Sequence, residues 1–287
     1  MFKLSVITDE VSQDVNRVLT FGKDFGLEGL ELRSIEETPV EKISLTQARR
    51  LKSLFDGEGF AICSIASPVF KCRWDSATEI QTHLEYLKHL VELAHIWETP
   101  LIRVFTFWRE SVTGGVQAAV EKFLPAVPIA DAAGVFLGVE NEDSTFVGSG
   151  AELAEFLGLV QHSRVKAIWD PQNAFYRTRG TETAVEGYRA VKPWLAHVHV
   201  KDAQLDPQTG EPVAAELGKG AIDWTAQLKA LKSDGYTGFL SLETHWREVP
   251  LDEKILNQPG GAAFSDKGEM ASRICMKNLK QMLKELT

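Results

Sequence analysis

The sequence predicts a single (β/α)8 barrel over residues 1–287, an α/β fold in one domain. Three observations point there. Short β-branched or apolar runs recur along the whole chain, and a stretch with helical periodicity follows each. Eight such units fit into 287 residues with no low-complexity tract and no Pro/Gly/Ser linker. The side chains best suited to chemistry stand at the C-terminal ends of the runs, where barrel enzymes place their sites. The rival arrangement is an open doubly wound sheet. Eight units in unbroken rhythm favour closure, and no G-x-G-x-x-G follows the first strand.

Strands are expected at 3–8, 28–33, 60–66, 101–107, 135–141, 165–170, 195–201 and 238–243. Helices are expected between them at 12–25, 45–57, 76–96, 114–132, 150–161, 182–191 and 224–234, with a last one at about 266–286. The opening run, Met-Phe-Lys-Leu-Ser-Val-Ile-Thr-Asp-Glu, reads as a first strand. It lacks the long apolar core and small-residue cleavage site of a signal peptide. Ser12, Thr46, Ser76 and Asp223 are candidate N-caps, since a short side-chain oxygen can accept from the unpaired N–H groups of a first turn. Gly26, Gly59, Gly134 and Gly235 each precede a strand closely and read as helix terminators.

Composition narrows the function. Hydrophobic residues make up 44% and charged residues 25%, ordinary values for a globular protein with a substantial core. The formal net charge of −9 argues against a nucleic-acid partner, which needs clustered Lys and Arg. No apolar run approaches the ~18 residues of a membrane span. Cys63, Cys72 and Cys275 are odd in number and have no C-x-x-C, so neither a disulfide framework nor a structural zinc site is expected. A cytoplasmic setting is the simplest expectation.

Four runs in the second half end a β-like stretch with a metal-competent side chain. They are Gly-Val-Glu-Asn-Glu (138–142), Ile-Trp-Asp-Pro-Gln-Asn (168–173), His-Val-His-Val-Lys-Asp (197–202) and Ser-Leu-Glu-Thr-His-Trp (241–246). Glu140, Asp170, His199 and Glu243 then form a set of three carboxylates and one imidazole. Such donors suit Mn²⁺, Mg²⁺, Co²⁺ or Zn²⁺. A closed barrel would bring the four strand ends to one point.

Each residue also has a plainer reading. An inward glutamate could simply pair with an inward cation such as Arg103, and Asp170-Pro171 could simply open a turn. His199 alone could be a hydrogen-bonded core histidine. Alternation puts Glu140 with Glu142, His197 with His199, and Glu243 with His245 on common faces. His197 would lie one layer deeper, in a structural or orienting role. His83, His89 and His95 share one helical stretch and read as packing or surface residues, and His162 sits at a helix end. Arg103, Glu31, Arg33, Lys201, Asp202 and His245 are candidates for the polar lining of a substrate pocket. Phe107, Trp108, Trp224 and Trp246 could supply an apolar wall. The stretch 247–268 looks like an inserted loop, serving as a lid or an oligomer contact.

These motifs, with Thr-Asp-Glu at 8–10, Gly-Leu-Glu-Gly-Leu-Glu-Leu-Arg at 26–33 and Gly-Lys-Gly-Ala-Ile-Asp-Trp at 218–224, resemble the xylose isomerase-like TIM barrel superfamily. That superfamily includes sugar phosphate isomerases and epimerases, hydroxypyruvate isomerase, inosose dehydratase and endonuclease IV. The resemblance covers nearly the whole chain. It implies one divalent metal, Mn²⁺ foremost, held by Glu140, Asp170, His199 and Glu243. In the ketose epimerases of the superfamily, the glutamates matching Glu140 and Glu243 are also the acid/base pair. Asn173, Glu142, Arg103, Lys201, His245 and Trp108 are then the expected substrate contacts.

Two departures matter. Many members carry Glu-Asn-His where this chain has Glu-Asn-Glu, ending in Glu142, and Asp-x-x-His where it has Asp-Pro-Gln-Asn, ending in Asn173. An amide cannot shuttle a proton near neutral pH. The main expectation is a metal-dependent isomerase or epimerase of a sugar or polyol ketone. The substrate is expected to be a small carbohydrate, without phosphate because no phosphate cradle is present, and a homo-oligomer is possible. The alternatives are a lyase on the same scaffold (keto-inositol dehydration or keto-glycoside cleavage), a non-catalytic sugar binder and a repair nuclease. The nuclease is disfavoured because no His precedes His83.

Overall fold

The computed structural model describes residues 2–109, 115–248, 261–265 and 267–286. Eight parallel strands form its centre: β1 (Lys3–Val6), β2 (Gly29–Leu32), β3 (Ala61–Ile65), β4 (Leu101–Val104), β5 (Phe136–Glu140), β6 (Val165–Trp169), β7 (Leu195–Val200) and β8 (Phe239–Leu242). Neighbours in sequence are neighbours in the sheet from β2 round to β8, and β8 pairs with β1. The seam between β1 and β2 is closed by the Ile7–Glu31 bridge and by the Glu28 N–H, which donates to the Leu4 carbonyl at 3.0 Å. The result is the expected (β/α)8 barrel.

The helices are α1 (Val15–Phe25), α2 (Leu45–Gly57), α3 (Ala77–Trp97), α4 (Gly115–Phe123) and α5 (Val127–Ala133) in the first half. They continue with α6 (Gly150–Val160), α7 (Pro171–Thr178), α8 (Ala184–Val191), α9 (Trp224–Ser233) and α10 (Gly268–Glu285). Strand residues of one parity, such as Val139, Trp169, Val198 and Leu240, join the apolar layer beneath the helices. The other parity turns Glu140, Ile168, His197 and Ser241 into the barrel, all of them buried. A Cβ on Gly138 would lie 2.7 Å from Ile168 Cδ1, so glycine leaves room for the isoleucine that fills the core below Glu140.

The structure departs from the sequence expectations at a few elements. The helix expected at 114–132 is two, α4 and α5, joined by a 3-10 turn at Leu124–Ala126. Pro125 and Pro128 cannot donate to the ladder and interrupt it there. Ser76 and Asp223 cap α3 and α9 as expected, but Asp14 caps α1 and Ser44 caps α2, in place of Ser12 and Thr46. Gly26 and Gly134 are left-handed C-caps. Helix α7 was not expected, nor were two hairpins, Ser34–Ile35 with Thr38–Pro39 and Asp202–Leu205 with Pro212–Ala215. His83 accepts from the Phe70 N–H, while His89 and His95 hydrogen-bond the Ile43 and Ala133 carbonyls, which are packing roles. Among the described residues, no helix is long and apolar enough to cross a membrane.

Candidate metal centre

Four strand ends place the ligand-type residues. Glu140 is the last residue of β5, Asp170 directly follows β6, His199 lies near the end of β7 and Glu243 directly follows β8. All four are buried, and one ligand-type atom from each lies within 4.8 Å of the others. His199 Nδ1 is 2.9 Å from Glu140 Oε1, 3.2 Å from Glu243 Oε2 and 3.8 Å from Asp170 Oδ2.

Each of the four is held by its outer atom and presents its inner one. Arg103 donates to Glu140 Oε2 at 3.0 Å, leaving Oε1 turned inward. Arg33 donates to Glu243 Oε1 at 2.6 Å, leaving Oε2 inward. Asp170 is the N-cap of α7: its Oδ1 accepts from the Asn173 N–H at 3.0 Å, Pro171 occupies the first turn, and Oδ2 is left inward. The turn-opening and ligand readings of Asp170 therefore coincide. His199 places Nε2 3.2 Å from Glu31 Oε1. An Nε2–H donated to that carboxylate leaves the Nδ1 lone pair facing the carboxylates, the usual way an outer carboxylate sets a ligating imidazole. Glu31 also holds His197 Nε2, at 3.0 Å from its Oε2.

Charge confirms the strain that this gathering creates. Burial works to raise the Glu140 pKa, but His199 and Arg103 outweigh it and hold the carboxyl at about 2. Burial acts likewise on Glu243, and the Lys201 ammonium and His245 keep it well below the ordinary range. For Asp170 burial wins over Lys201, and the group is pushed up to about 7. Burial favours a neutral His199, yet Glu140 and Glu31 on either side hold its pKa well above the ordinary value.

The residues fit a divalent cation. One connected buried network contains six carboxylates (Asp9, Glu10, Glu31, Glu140, Asp170, Glu243) and four cations (Arg33, Arg103, Lys201, Arg247). Among the described residues, with every carboxylate ionised and the imidazoles neutral, as ligation requires, the excess of two negative charges equals the charge of one such ion. Asp170 Oδ2 and Glu243 Oε2 are buried, and the Lys201 ammonium is the charge that faces both, at 2.7 and 2.8 Å; a divalent ion would answer the same two oxygens.

A family model described as xylose isomerase-like TIM barrel matches residues 19–265. The chain belongs to that family. No curated protein matches in sequence. Among solved structures, an IOLI protein with a bound zinc atom superposes with a TM-score of 0.78 at 15% identity, covering 100% of this chain and 99% of its own. An L-ribulose 3-epimerase gives 0.72 at 16%, covering 100% and 96%. The probable 3-DHS dehydratase AsbF of petrobactin synthesis from Bacillus anthracis gives 0.69 at 18%, covering 97% and 99%. At such identities these likenesses establish the xylose isomerase-like fold and no single reaction.

The other expected site residues take varied places. Arg103 is fully engaged by protein: besides Glu140 it donates to the Ser67 and Ala66 carbonyls, so it holds Glu140 in the way the plainer reading foresaw. Asn173 donates to Glu140 Oε1 at 3.3 Å and to the Asn141 carbonyl at 2.9 Å. Lys201, expected in the polar lining of a substrate pocket, points into the ligand set. Glu142 pairs with Lys71 at 3.0 Å. Trp108 is half-buried beside that pair, its ring 5.4 Å from Lys71 Nζ. His245 Nε2 lies 3.3 Å from Glu243 Oε1, and burial followed by the Lys201 charge lowers its pKa. A small cleft lies against Lys201, Glu243, His245 and Trp246. Phe107 and Trp224 do not form a pocket wall. Phe107 packs on Phe70 in the core, with centroids 4.8 Å apart, and the buried Trp224 indole donates to the Lys201 carbonyl.

Sequence reasoning missed two roles and one residue. Glu31 and Arg33 were expected in the polar lining of a substrate pocket; they are buried behind the site and act on it through Glu243 and the histidines. Lys71 was not singled out, because it lies in a loop with no periodicity. It is set there by pairing of the loops after β3 and β4, where Phe107 and Trp108 donate to the Phe70 and Cys72 carbonyls. Of the loop expected at 247–268, residues 249–260 and 266 lie outside the described residues. Its described end meets the network, since Arg247 donates to Glu10 Oε2 and to the Phe264 carbonyl.

Proposed function

We propose that the chain is a divalent-metal-dependent isomerase or epimerase of a sugar or polyol ketone, acting by proton abstraction next to a carbonyl, with the whole chain as one catalytic domain. The observation that carries this is the held-and-presented geometry of Glu140, Asp170, His199 and Glu243. A non-catalytic binder has no use for four ligand atoms each fixed from behind by a separate partner. These residues would hold one ion, Mn²⁺ foremost, with Mg²⁺, Co²⁺ or Zn²⁺ as alternatives. When bound, it supplies a Lewis acid that polarises a substrate carbonyl and its neighbouring hydroxyl.

The rest falls to the chain itself. Low pKa values keep Glu140 and Glu243 ionised at neutral pH, so either can accept a carbon-bound proton. Arg33 and Arg103 fix the outer oxygens, so a carboxylate that takes a proton stays in place to return it. Glu142 with Lys71 offers both an acceptor and a donor for hydroxyls, and Trp108 beside them a flat apolar face for ring C–H groups. We assign His245 and Lys201 to the same substrate-facing polar lining. The neighbours that act on L-ribulose or carry zinc are consistent with this reading, and a small carbohydrate, not nucleic acid or membrane, is the proposed partner.

Elimination is the second reading, as a dehydratase or lyase on a keto-inositol or keto-glycoside. Asn173 favours it: its amide is spent on Glu140 and cannot relay a proton near neutral pH.

The test is hydrogen exchange. Incubated in D₂O with Mn²⁺ and a panel of 2-keto sugars and keto-inositols, the protein should bring deuterium onto the carbon beside a carbonyl, followed by NMR. An epimer or isomer as product supports the first reading, and loss of water or of the glycosidic group supports the second. Binding of a panel member with no exchange would overturn both. Metal analysis should find about one divalent ion per chain, lost in Glu140→Ala.

A further inference from the structure

Lys201 holds a position that no ligand-set reading requires. Its Nζ lies 2.7 Å from Asp170 Oδ2, 2.8 Å from Glu243 Oε2 and 4.0 Å from Glu140 Oε1. These are the same inward oxygens that face His199 Nδ1. The other buried cations behave differently, since Arg33 and Arg103 take the outer oxygens, Glu243 Oε1 and Glu140 Oε2. The Lys201 side chain is only 2% exposed, so water does little to screen it. Its backbone is pinned as well. The Trp224 indole N–H donates to the Lys201 carbonyl at 2.8 Å, and the next residue, Asp202, accepts the Gly218 and Gly220 N–H groups. The anchored stem delivers a full positive charge to the atoms a divalent ion would need.

Resting on the metal-centre reading above, we propose that Lys201 is a built-in counter-cation. In the metal-free chain it holds Asp170 and Glu243 together. It opposes entry of a divalent ion, which must either displace the ammonium or bind against its charge. Like charges a few ångströms apart in a poorly screened interior repel strongly. Lys201 therefore sets the metal affinity lower than the four ligands alone would give, and keeps the carboxylates from splaying when the ion leaves. A residue that merely orients the ligands would act in the opposite sense, and its removal would weaken metal binding.

The experiment compares metal-free wild type, Lys201→Gln and Lys201→Arg by Mn²⁺ titration, with free Mn²⁺ read by EPR, and by thermal unfolding with and without Mn²⁺. Lys201→Gln should bind Mn²⁺ at least about tenfold more tightly, melt lower than wild type without metal, and gain more in Tm when Mn²⁺ is added. Lys201→Arg, which keeps the charge, should stay near wild type in affinity. Equal or weaker Mn²⁺ binding by Lys201→Gln overturns the proposal and leaves the metal centre standing. No Mn²⁺ binding by wild type or by Lys201→Gln removes the metal centre itself, and the proposal with it. Mn²⁺ binding gained only in Lys201→Gln supports the proposal strongly. A Gln variant that folds only when Mn²⁺ is supplied also meets the expectation, whereas one that folds under neither condition overturns it.

Discussion

The two halves of the barrel do different work at the same point. Strands β5 to β8 present the inward atoms of Glu140, Asp170, His199 and Glu243. Strands β1, β2 and β4 and their loops supply most of what holds them: Glu31 behind His199, Arg33 behind Glu243, Arg103 behind Glu140, with Asp9 and Glu10 behind Arg33. Asp170 is the exception, being held by the first turn of its own helix. A presenting atom is worth little unless its direction is fixed, and in this molecule the fixing comes from other strands: the neighbouring β4 for Glu140, and β2 with the residue after it for His199 and Glu243. Damage to a presenter should remove chemistry, and damage to a holder should degrade it.

The largest effect is therefore expected at a presenter. Glu243→Gln keeps the shape, and its amide oxygen can still accept from Arg33, but the side chain cannot take up a proton. Turnover on whichever keto-sugar shows exchange should fall by about 10²–10⁴, while substrate binding, measured by calorimetry, stays within a few-fold. Activity that survives this change would show that Glu243 is not an acid/base residue.

A holder should cost less. In Glu31→Gln the side chain can still accept from His199 Nε2–H, but it loses the charge that favours a strongly donating imidazole and turns an amide toward His197. Affinity for Mn²⁺ should drop about 10–100-fold, with the far-UV spectrum unchanged. An unaltered affinity would mean that Glu31 matters for packing alone.

The division between the halves also explains what could be read in the sequence. Presenters were legible because each closes its own strand: parity and position put Glu140, Asp170, His199 and Glu243 on the list from local sequence. Holders were not. Arg33 meets Glu243 across 210 positions of chain, a contact set by barrel closure and by the length of the guanidinium, and no local pattern encodes it. The closeness of Lys201 to the ligand oxygens was not legible for a related reason. Parity with His199 was visible, but how far its stem reaches depends on the pinned backbone at Trp224 and Asp202. Helix α7 escaped because Asp-Pro reads equally as a turn and as a capped helix start, and only the following turn decides.

Protons and metal compete for the presenters, so pH should tune loading. Burial pushes Asp170 up to about 7, and His199 is held well above its ordinary value despite burial. Both must lose a proton before their inward atoms can ligate. Mn²⁺ affinity should therefore rise with pH between about 6 and 8, and protons should be released on binding. For the metal-free chain the sign at Asp170 runs the other way. A carboxyl raised above its unfolded value of 3.8 contributes stability at low pH that is lost as pH rises through about 7. Glu140, held at about 2 against an ordinary 4.5, contributes stability above pH 4.5 that is lost as pH falls toward 2. Mn²⁺ should therefore raise the Tm more at pH 8 than at pH 6. An equal rise at both would show that Asp170 is already ionised at the lower pH.

The smallest effect is expected where neither presenting nor holding is at stake. Trp108 lies against Lys71, whose ammonium pairs with Glu142. Trp108→Ala should leave Mn²⁺ stoichiometry and affinity unchanged and raise KM by roughly threefold to tenfold, the scale of one aromatic contact, with kcat moved less. A fall in kcat larger than the rise in KM would place Trp108 with the holders, acting through Lys71 and Glu142 on the carboxylates within. The loss of metal content would say the same more directly, because the rim would then be part of what keeps the inner ring aligned.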